Sequence, residues 1–400
     1  MIVTGQQPAV GGGPLYTLIK IAHAVALAKQ RGEPALFWCA SEDHDLGEAG
    51  HADIVLRDGT IRRFTADLGG GRHSLAFRPA HPWWEPLVSW LHTQLGPGAG
   101  AAFLQAQAPQ GEEGMGAWQC RLMRSLFPTL EAVEAHTLRA RWAPALALAL
   151  TQWPVAALAE LRTRLLAAGA ADAFGPLDEP PLFQDLATGR TAVDRPTAAR
   201  LLAAGGLDLS PGAALRPLLQ QAALPCSAYV GGPGELAYHR FITPGYAALR
   251  VTPPELIPRC SLTIVPRWCA QALHHLGTTP EQLSAWHAPQ VAVDQRWTAL
   301  VAALDAAIAG LTGEPGLSGS LRRLENERTH LVRRLARRAY QHQHLPAVGS
   351  LRAYLSPRGG RQERTMSLVQ ALWEHGPGLA RVLVDAAAAT SPGQHRYVLL

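Results

Sequence analysis

Apolar residues near the start of the chain fall into a strand pattern, a helix pattern and a second strand pattern. Met1–Thr4 is a short strand-type run that ends at a glycine, and from Leu15 to Lys29 apolar residues recur at helical spacing. Gly32 ends the helix pattern, and the continuous apolar run Ala35–Ala40 has the length of a buried strand. This order predicts a βαβ unit, which favours a parallel sheet with a ligand crevice at the carboxyl ends of its strands.

The same order of strand, glycine loop and helix returns later in the chain. Ser227–Val230 predicts a short buried strand, Gly231–Gly234 forms the loop, and a helical pattern begins at Glu235. Leu262–Val265 predicts the next strand. The repetition predicts an α/β fold whose core is a Rossmann-like parallel sheet made of two halves.

The chain between these two units has hairpin and helix patterns. Asp58-Gly59 predicts a β-hairpin over residues 54–65, and Thr188-Gly189 predicts another over residues 182–193. From Pro79 to about Gly175 the pattern is mostly helical. We therefore expect this part of the chain to be inserted into the α/β core.

The C-terminal part of the chain is mainly helical. Leu317–His344 predicts one helix of about 40 Å, and residues that include Asp305–Ile308 would complete an antiparallel hairpin arm. The coiled-coil seam of this arm is weak, because arginine occupies two of its positions. The seam positions are Leu321, Arg328, Leu335, Leu324, Leu331 and Arg338. Pro346–Gly360 would return the chain to the core, before a last helix over Met366–Ala389 and a terminal strand over Arg396–Leu400.

These patterns divide the chain into five expected segments. Residues 1–57 and 216–266 are the two halves of the core, and residues 58–215 are inserted connecting segments, with helices and short hairpins. Residues 267–345 form a helical, coiled-coil-type arm, and residues 346–400 return to the core.

The composition is that of an ordinary folded protein. Hydrophobic residues make up 48% and charged residues 17% of the 400 residues, which excludes wholesale disorder. The net charge of +5 is a mild excess that does not by itself indicate nucleic-acid binding. Lysine occurs only at Lys20 and Lys29, so clusters of arginine carry little weight while Lys20 stands out.

The cysteines and the apolar stretches exclude other classes of protein. The 5 cysteines include no CxxC pair, which argues against a disulfide framework and a structural zinc site. The chain begins without a charged, apolar leader, and its most apolar stretch, Ala143–Leu158, is broken by two prolines. We expect a cytoplasmic protein that does not associate with membranes.

The first candidate site is the loop between the first strand and the first helix. Thr4–Gln7 and Gly11–Tyr16 bring glycines, two side-chain amides and a helix start together, as an anion or polar ligand would require. The loop matches neither GxGxxG nor a P-loop, so a tight turn is the alternative. Lys20 would point back at a phosphate or out to solvent.

The second candidate is Ser41–Asp45, directly after the second strand. Its carboxylates and imidazole would repel or compete unless a cation or hydrogen-bond donors balance them, and His44 could serve as a general acid or base. The alternative is an acidic turn in which Asp45 or Ser41 caps a helix. A metal site with His51 lacks a supporting spacing, and nucleophilic catalysis lacks a GxSxG motif or an exposed cysteine.

Two further candidates lie in the second half. Tyr229 and Tyr238 bracket the second glycine loop, where Glu235 would either bind a ligand or cap the helix. Arg364, before the last helix, could hold a phosphate or carboxylate, or lie in a surface turn.

In their order along the chain, these blocks resemble the bacillithiol biosynthesis cysteine-adding enzyme family. The matching segments are Val3–Gln7, Gly13–Thr17 with Lys20, Phe37–Asp45, Ala228–Glu235, Pro258-Arg259, Gln362–Arg364 and the ending around Tyr397. The resemblance implies a Rossmann-like core similar to class I aminoacyl-tRNA synthetases and an arm used in homodimerisation. It also implies a ligase that joins L-cysteine to the amine of glucosaminyl malate.

The residues then take hypothetical roles in that reaction. Activation of the cysteine carboxyl would use ATP or another nucleotide with Mg²⁺, without a structural metal. Glu42, Asp43, His44 and Asp45 would be catalytic, with His44 and an aspartate accepting the proton of the sugar amine. The expected substrate- or nucleotide-binding residues are Thr4, Gly5, Gln6, Gln7, Gly13, Pro14, Tyr16, Lys20, Ser41, Tyr229, Gly231, Gly232, Pro233, Gly234, Glu235, Tyr238, Arg259 and Arg364. Arg259 or Arg364 would bind the malate carboxylates.

The sequence also departs from the family pattern. Family members usually carry a segment ahead of the Thr4–Gln7 block, which we expect this chain to lack, and the middle and the arm look shortened. Pro8–Gly12 replaces an Ala/Gly-Leu-Phe-type stretch. A degenerate family member that binds a nucleotide or partners without ligase activity is therefore the alternative function. An RNA-binding role, suggested by the synthetase-like core, ranks third.

Overall fold

The computed structural model describes residues 1–285, 295–311 and 318–400. These form two compact units. The first comprises Met1–Ile54, Arg62–Thr263 and Gln362–Val398, and the second comprises Val55–Ile61, Ile264–Arg361 and Leu399–Leu400. Every candidate site residue belongs to the first unit.

Strands and helices alternate through most of the chain. The strands are β1 (Ile2–Gln6), β2 (Ala35–Cys39), β3 (His51–Val55), β4 (Ile61–Thr65), β5 (Leu130–Glu134), β6 (Leu182–Leu186), β7 (Gly189–Val193), β8 (Leu209–Pro211), β9 (Ala228–Gly231), β10 (Glu255–Pro258), β11 (Ser261–Val265) and β12 (His395–Leu399). The α-helices are α1 (Tyr16–Arg31), α2 (Leu46–Ala49), α3 (His81–Leu95), α4 (Ala101–Ala106), α5 (Met115–Leu126), α6 (Arg139–Gln152), α7 (Val155–Ala167), α8 (Arg195–Ala203), α9 (Arg216–Ala223), α10 (Pro233–Phe241), α11 (Thr243–Ala248), α12 (Arg267–His275), α13 (Pro280–Ala285), α14 (Gln295–Leu311), α15 (Ser318–Leu355), α16 (Gln362–Thr365), α17 (Leu368–His375) and α18 (Leu379–Ala388).

A five-stranded parallel sheet forms the core of the first unit, in the order β10-β9-β1-β2-β5. The chain builds the sheet outward from β1 through β2 to β5, and then returns to add β9 and β10 on the other side of β1. The order therefore reverses between β1 and β9, where parallel sheets open a crevice at the carboxyl ends of their strands. The predicted Rossmann-like α/β core is confirmed.

Helix α1 is buried on most of its surface, which explains its weakly amphipathic sequence. It packs against β1 and β2 and against α18. Gly32, at φ +65°, ends the helix in the left-handed conformation that glycine adopts most readily. Because both sides of the helix are covered, a polar side chain near its start must find partners inside the protein.

The prediction missed two strands of the sheet and misplaced a third. β5 lies in a part predicted as mostly helical, because it is a five-residue edge strand that carries two glutamates. β10 was not predicted, since prolines surround and end it. The strand predicted at Leu262–Val265 exists as β11, but it pairs with β12 in a separate two-stranded sheet.

The helix bounds near the C-terminus also differ from the prediction. The helix expected over 366–389 is two helices, α17 and α18, because Gly376 takes φ +73° and Pro377 cannot donate a backbone hydrogen bond. Helix α15 continues through the expected return segment to Leu355. Both predicted hairpins are present as β3 with β4 and β6 with β7, and β8 adds a third strand to the latter.

In the second unit, α14 and α15 pack against each other. Arg328 of α15 donates to both carboxylate oxygens of Asp305 of α14, at 2.7 and 3.0 Å. This pair joins the two legs of the expected helical arm. The seam positions Leu335 and Arg338 lie outside the residues whose side chains are described.

The sequence argues against a disulfide framework and against a membrane span. All five cysteines are buried free thiols. In the described ranges no single helix has both the length and the apolar composition of a membrane span; only the bent pair Ala135–Gln152 and Val155–Ala167 meets both criteria together.

Gly12→Ala tests how tightly the first loop packs. Gly12 has φ +79°, and a Cβ there would lie 2.8 Å from Cδ2 of the buried Leu368. We expect the free energy of unfolding to fall by more than the roughly 1–2 kcal/mol of a left-handed alanine alone, measured by urea denaturation. Gly32→Ala is the matched control, since Gly32 has φ +65° with nothing within 4 Å. Equal losses in the two variants would contradict the packing explanation.

Candidate functional site

A cavity of about 450 Å³ opens at the carboxyl ends of β1, β2 and β9. Its position is the β1–β9 reversal point of the sheet, where an α/β fold places its ligands. Many of the residues predicted from sequence line it: Gly5, Gln6, Gln7, Tyr16, Lys20, Asp43, Tyr229, Gly232, Pro233, Gly234, Glu235, Tyr238, Arg259 and Arg364. The predicted residues that are not part of its lining are Thr4, Gly13, Pro14, Ser41, Glu42, His44, Asp45 and Gly231.

The Lys20 ammonium lies at the centre of the crevice. Lys20 is 1% exposed, and its Nζ donates to both oxygens of Glu235, at 2.9 and 2.8 Å. It also donates to the Gly5 carbonyl and to Gln6 Oε1, the latter at 3.2 Å. Burial lowers the pKa of Lys20, while the Glu235 carboxylate opposes that shift. The ammonium therefore points neither to solvent nor to a free phosphate position, because the protein supplies its acceptors.

Glu235 serves the helix and the lysine at the same time. Its Oε2 accepts a hydrogen bond from the Gly232 backbone N–H at 2.8 Å, which ties the loop to the first turn of α10. Its Oε1 accepts a hydrogen bond from the Tyr229 hydroxyl at 2.9 Å. The helix-start role proposed as the alternative is thus present, and it leaves the carboxylate surrounded by protein donors.

In the acidic segment Ser41–Asp45, three consecutive residues each contact a different arginine: Glu42, Asp43 and His44. Glu42 Oε1 accepts from Arg139 Nε at 2.7 Å, and Asp43 Oδ2 accepts from Arg216 Nη2 at 3.1 Å. The third contact is at His44 Nδ1, which accepts from an arginine of β7. The like charges expected to repel one another in this segment are therefore balanced by cations from α6, α9 and β7. We call these contacts the arginine clamp.

The clamp includes His44, for which the sequence predicts a catalytic role. Arg190 Nη1 donates to His44 Nδ1 at 2.8 Å, so the lone pair that a general base needs at that nitrogen is occupied. Burial, followed by the Arg190 charge, lowers the pKa of His44. Since His44 is not part of the cavity lining either, its geometry does not support proton transfer from a substrate in this cavity.

The other predicted catalytic side chains also have structural partners. Glu42 is 1% exposed, and its pKa is raised by burial although Arg139 opposes the shift. Asp45 caps α2, because its Oδ1 accepts from the backbone N–H groups of Gly47 and Glu48 at 2.9 and 3.2 Å. Ser41 is fully buried, with its Oγ 3.2 Å from His136 Nδ1. Of the predicted catalytic set, only Asp43 reaches the cavity.

Asp43 is held as an ionised carboxylate. Burial alone would raise its pKa, but the Arg216 guanidinium and hydrogen bonds from the backbone N–H groups of His44 and Asp45 lower it overall. A carboxylate that is a weak base and already ion-paired is better suited to orienting Arg216 than to accepting a proton.

The first glycine loop does not cradle a ligand along its whole length. Gly11 and Gly12 are buried, and a Cβ on either would lie 2.8 Å from Val369 or Leu368, so they allow α17 to pack closely. The Thr4 hydroxyl donates to the Val230 carbonyl at 2.7 Å and joins β1 to β9. Gly5, Gln6 and Gln7, at and after the end of β1, and Tyr16, at the start of α1, line the cavity, so these are the residues of the predicted phosphate-holding loop that a ligand would contact.

The two predicted arginines differ in their partners. Arg259 Nη1 lies 2.5 Å from Glu363 Oε1, and both side chains are buried, so its charge is balanced inside the protein. Arg364 is exposed at the cavity wall, and among the described residues it has no hydrogen bond or ion pair. An incoming anion would therefore meet Arg364 with its charge unbalanced.

Sequence reasoning missed eight residues that line the cavity: Trp38, Ala40, Glu48, Ala213, Arg216, Pro217, Gln220 and His239. Trp38, Glu48 and Arg216 illustrate why. Trp38 was counted as part of an apolar strand, and Arg216 was discounted with the many other arginines. Glu48 had a usable signal, because it follows the helix-capping Asp45 by three residues and so falls in the first turn of α2. Each of these three residues could be explained without a ligand, so none was predicted to line the cavity.

Two donors at the cavity have no acceptor. Trp38 Nε1 and Gln7 Nε2 are buried and make no hydrogen bond within the described parts of the chain. A buried donor left unpaired costs about 1–3 kcal/mol, and both side chains belong to the cavity lining. The described residues include no cluster of three or more His, Cys, Asp or Glu side chains placed to hold a metal ion.

Comparison with known proteins covers both halves of the core. The family model "Bacillithiol biosynthesis BshC, N-terminal Rossmann-like domain" matches residues 1–129 and 194–260. A protein of Koribacter versatilis named "Putative cysteine ligase BshC" is 30% identical over 458 residues, covering 99% of this chain and 83% of that protein. Proteins of the same name from Solibacter usitatus and Thermus thermophilus are each 29% identical, covering 96% and 100% of this chain and 82% and 87% of their own lengths.

Arg139→Met tests the arginine clamp. Arg139 also pairs with the buried Asp185, so its loss leaves two buried carboxylates without a cation. We expect the free energy of unfolding at pH 7 to fall by about 3–5 kcal/mol, measured by urea denaturation. Arg162→Met is the control, because its pair with Asp172 is solvent-exposed and adds little. A loss no larger than that of the control would contradict a structural role for the clamp.

Proposed function

The chain belongs to the BshC family of bacillithiol biosynthesis, and from this premise we propose that it is a ligase that joins L-cysteine to the amine of glucosaminyl malate. The product would be bacillithiol, and the new bond an amide. The cavity at the β1–β9 reversal point is the single observation that carries the proposal. It collects polar and charged side chains from both halves of the core, as a binding site for a polar substrate requires.

The reaction needs an activated carboxyl group, because a free carboxylate is a poor electrophile. We propose that ATP or another nucleotide, with Mg²⁺, converts the cysteine carboxyl into an acyl-phosphate or acyl-adenylate. The groups that fit phosphate oxygens are Arg216 at the cavity wall and the backbone at the start of α10. Mg²⁺ would be carried mainly by phosphate oxygens, as is usual for this ion.

The chain's own residues then hold and orient the substrates. Asp43 keeps the Arg216 guanidinium directed along the cavity wall. Lys20 and Glu235 fix the two glycine loops relative to each other, so that Gly5 and Gly232 keep the crevice open. Arg364 is the group best suited to the malate carboxylates, since the Arg259 charge is already balanced by Glu363.

The arm gives the protein a second surface. Leu300 is 49% and Leu311 38% exposed on α14, which leaves apolar area uncovered on that helix. We propose that the arm forms a homodimer contact, which light scattering of the purified protein would test. A concentration-independent monomer would contradict this part of the proposal.

The proposed reaction is tested by incubating the protein with glucosaminyl malate, L-cysteine and Mg-ATP. Mass spectrometry should detect the thiol product, and omission of ATP should abolish it. Failure to form product, with ATP still raising the melting temperature, would favour the alternative of a nucleotide-binding module without ligase activity.

Arg364→Gln tests anion recognition. Loss of a charge-assisted hydrogen bond of about 1.5–3 kcal/mol predicts a rise of roughly 10- to 150-fold in KM for glucosaminyl malate. The melting temperature should not change, because Arg364 has no partner among the described residues. Arg361→Gln is the matched control, since this exposed arginine is not part of the cavity lining. Equal effects of the two substitutions would refute the assignment.

A further inference from the structure

A second cavity of about 230 Å³ adjoins the first. Residues that line it but not the larger cavity include Gly13, Pro14, His51, Asp53, Thr365 and Ser367. The two cavities share three residues, Tyr16, Glu48 and Arg364. A reaction that joins two substrates needs their reacting atoms to meet, and the boundary between two cavities is where the occupants of both come together.

Two of the three shared side chains, Tyr16 and Glu48, are held in place by their neighbours. Tyr16 Oη donates to Glu48 Oε1 at 3.3 Å, and Gln6 Nε2 lies 3.2 Å from Tyr16 Oη and 3.5 Å from Glu48 Oε1. The Glu48 backbone N–H is in turn fixed by the Asp45 carboxylate that caps α2. Glu48 thus faces both cavities from a fixed turn.

Glu48 differs from the other carboxylates of the crevice. Glu235 accepts two hydrogen bonds from Lys20, and Asp43 is paired with Arg216. Glu42 is enclosed by the arginine clamp. Glu48 has no arginine or lysine ion pair in the described ranges, and its hydrogen bonds come from neutral groups. It is therefore the carboxylate at the cavity wall that can most readily take up a proton.

We propose that the smaller cavity binds the amine substrate, and that Glu48 is the general base that receives the proton of the attacking amine. This inference rests on the proposed ligase function. The amine, entering unprotonated, forms the C–N bond with its lone pair. The bond between the acyl carbon and the phosphate oxygen of the nucleotide-activated carboxyl breaks, and its electron pair leaves on that oxygen. The proton that the nitrogen loses passes to Glu48.

The charges around Glu48 suit this role. Burial at the cavity wall raises its pKa, the hydrogen bond from Tyr16 lowers it, and the negative charges of Asp45 and Asp43 raise it. Lys20 lowers it from a greater distance, and the overall direction is upward. Besides Tyr16, the other charged or titratable groups here are Arg364, across the cavity boundary, and His51 and Asp53, in the smaller cavity. Asp53 is paired with Arg63 at 2.6 Å. A base with a raised pKa accepts a proton more readily, and the rate should fall as the pH drops through that pKa.

Glu48→Gln separates proton transfer from the earlier steps. We expect kcat for ligation to fall by about 100- to 10,000-fold. Cysteine-dependent exchange of label between ATP and the product that activation releases, ADP or pyrophosphate, should continue within about threefold, because activation does not use this base. The acid limb of the pH–rate profile should also disappear. Glu131→Gln, at an exposed carboxylate that lines neither cavity, is the matched control.

Binding by calorimetry tests the smaller cavity without using turnover. Thr365→Trp should weaken glucosaminyl malate binding by at least about tenfold and leave cysteine binding unchanged. His51→Trp, from the opposite element of the same cavity, is the second variant should the first fail to fold.

The outcomes distinguish this inference from the proposed function. Ligation by Glu48→Gln at the wild-type rate, or unchanged glucosaminyl malate binding in a folded tryptophan variant, would overturn the inference while the ligase function stands. A wild-type protein that neither binds glucosaminyl malate nor forms product would overturn both.

Discussion

The buried Lys20 ammonium is the constraint on which the crevice depends. Removing an ammonium from water costs several kcal/mol unless acceptors surround it. The protein meets that cost with the Gly5 carbonyl from one half of the core and with the Glu235 carboxylate from the other. The same carboxylate holds the Gly232 backbone and the Tyr229 hydroxyl. One ion pair therefore connects β1, α1, β9 and α10 at the point where the order of the sheet reverses.

Pairing with arginines likewise explains how the acidic segment Ser41–Asp45, after β2, is stable in a partly buried turn. Its side chains would destabilise one another if they were left together in a partly buried turn. Arg139 pairs with Glu42, Arg216 pairs with Asp43, and Arg190 donates a hydrogen bond to His44. Arg139 also pairs with Asp185 of β6. The segment is thus a junction between the sheet and the inserted elements. Its proximity to the strand end, which from sequence favoured catalysis, equally suits this structural role.

The sequence was most informative where local pattern and tertiary position agree. The βαβ start, both glycine loops and the hairpins follow from periodicity and turn residues, and the position of the crevice follows from the order of the strands. β5 and β10 were missed because an edge strand needs few apolar residues, and pairing partners far along the chain decide whether it forms. Residue type alone also could not separate His44 from Glu48. The difference is the Arg190 contact, which comes from a strand 146 residues away.

The distribution of paired and unpaired charge relates the crevice to the substrate class. Pairing removes Lys20 with Glu235 and Arg259 with Glu363 from direct recognition, and Arg216 neutralises the Asp43 carboxylate. What remains at the boundary of the two cavities is one cation, Arg364, and one anion, Glu48. A molecule with carboxylates at one end and an amine at the other, as in glucosaminyl malate, is complementary to that arrangement. A substrate that was only anionic would bring its charge against Glu48, and one without an anionic group would leave Arg364 unpaired. The remaining charges therefore favour an acceptor that carries both groups.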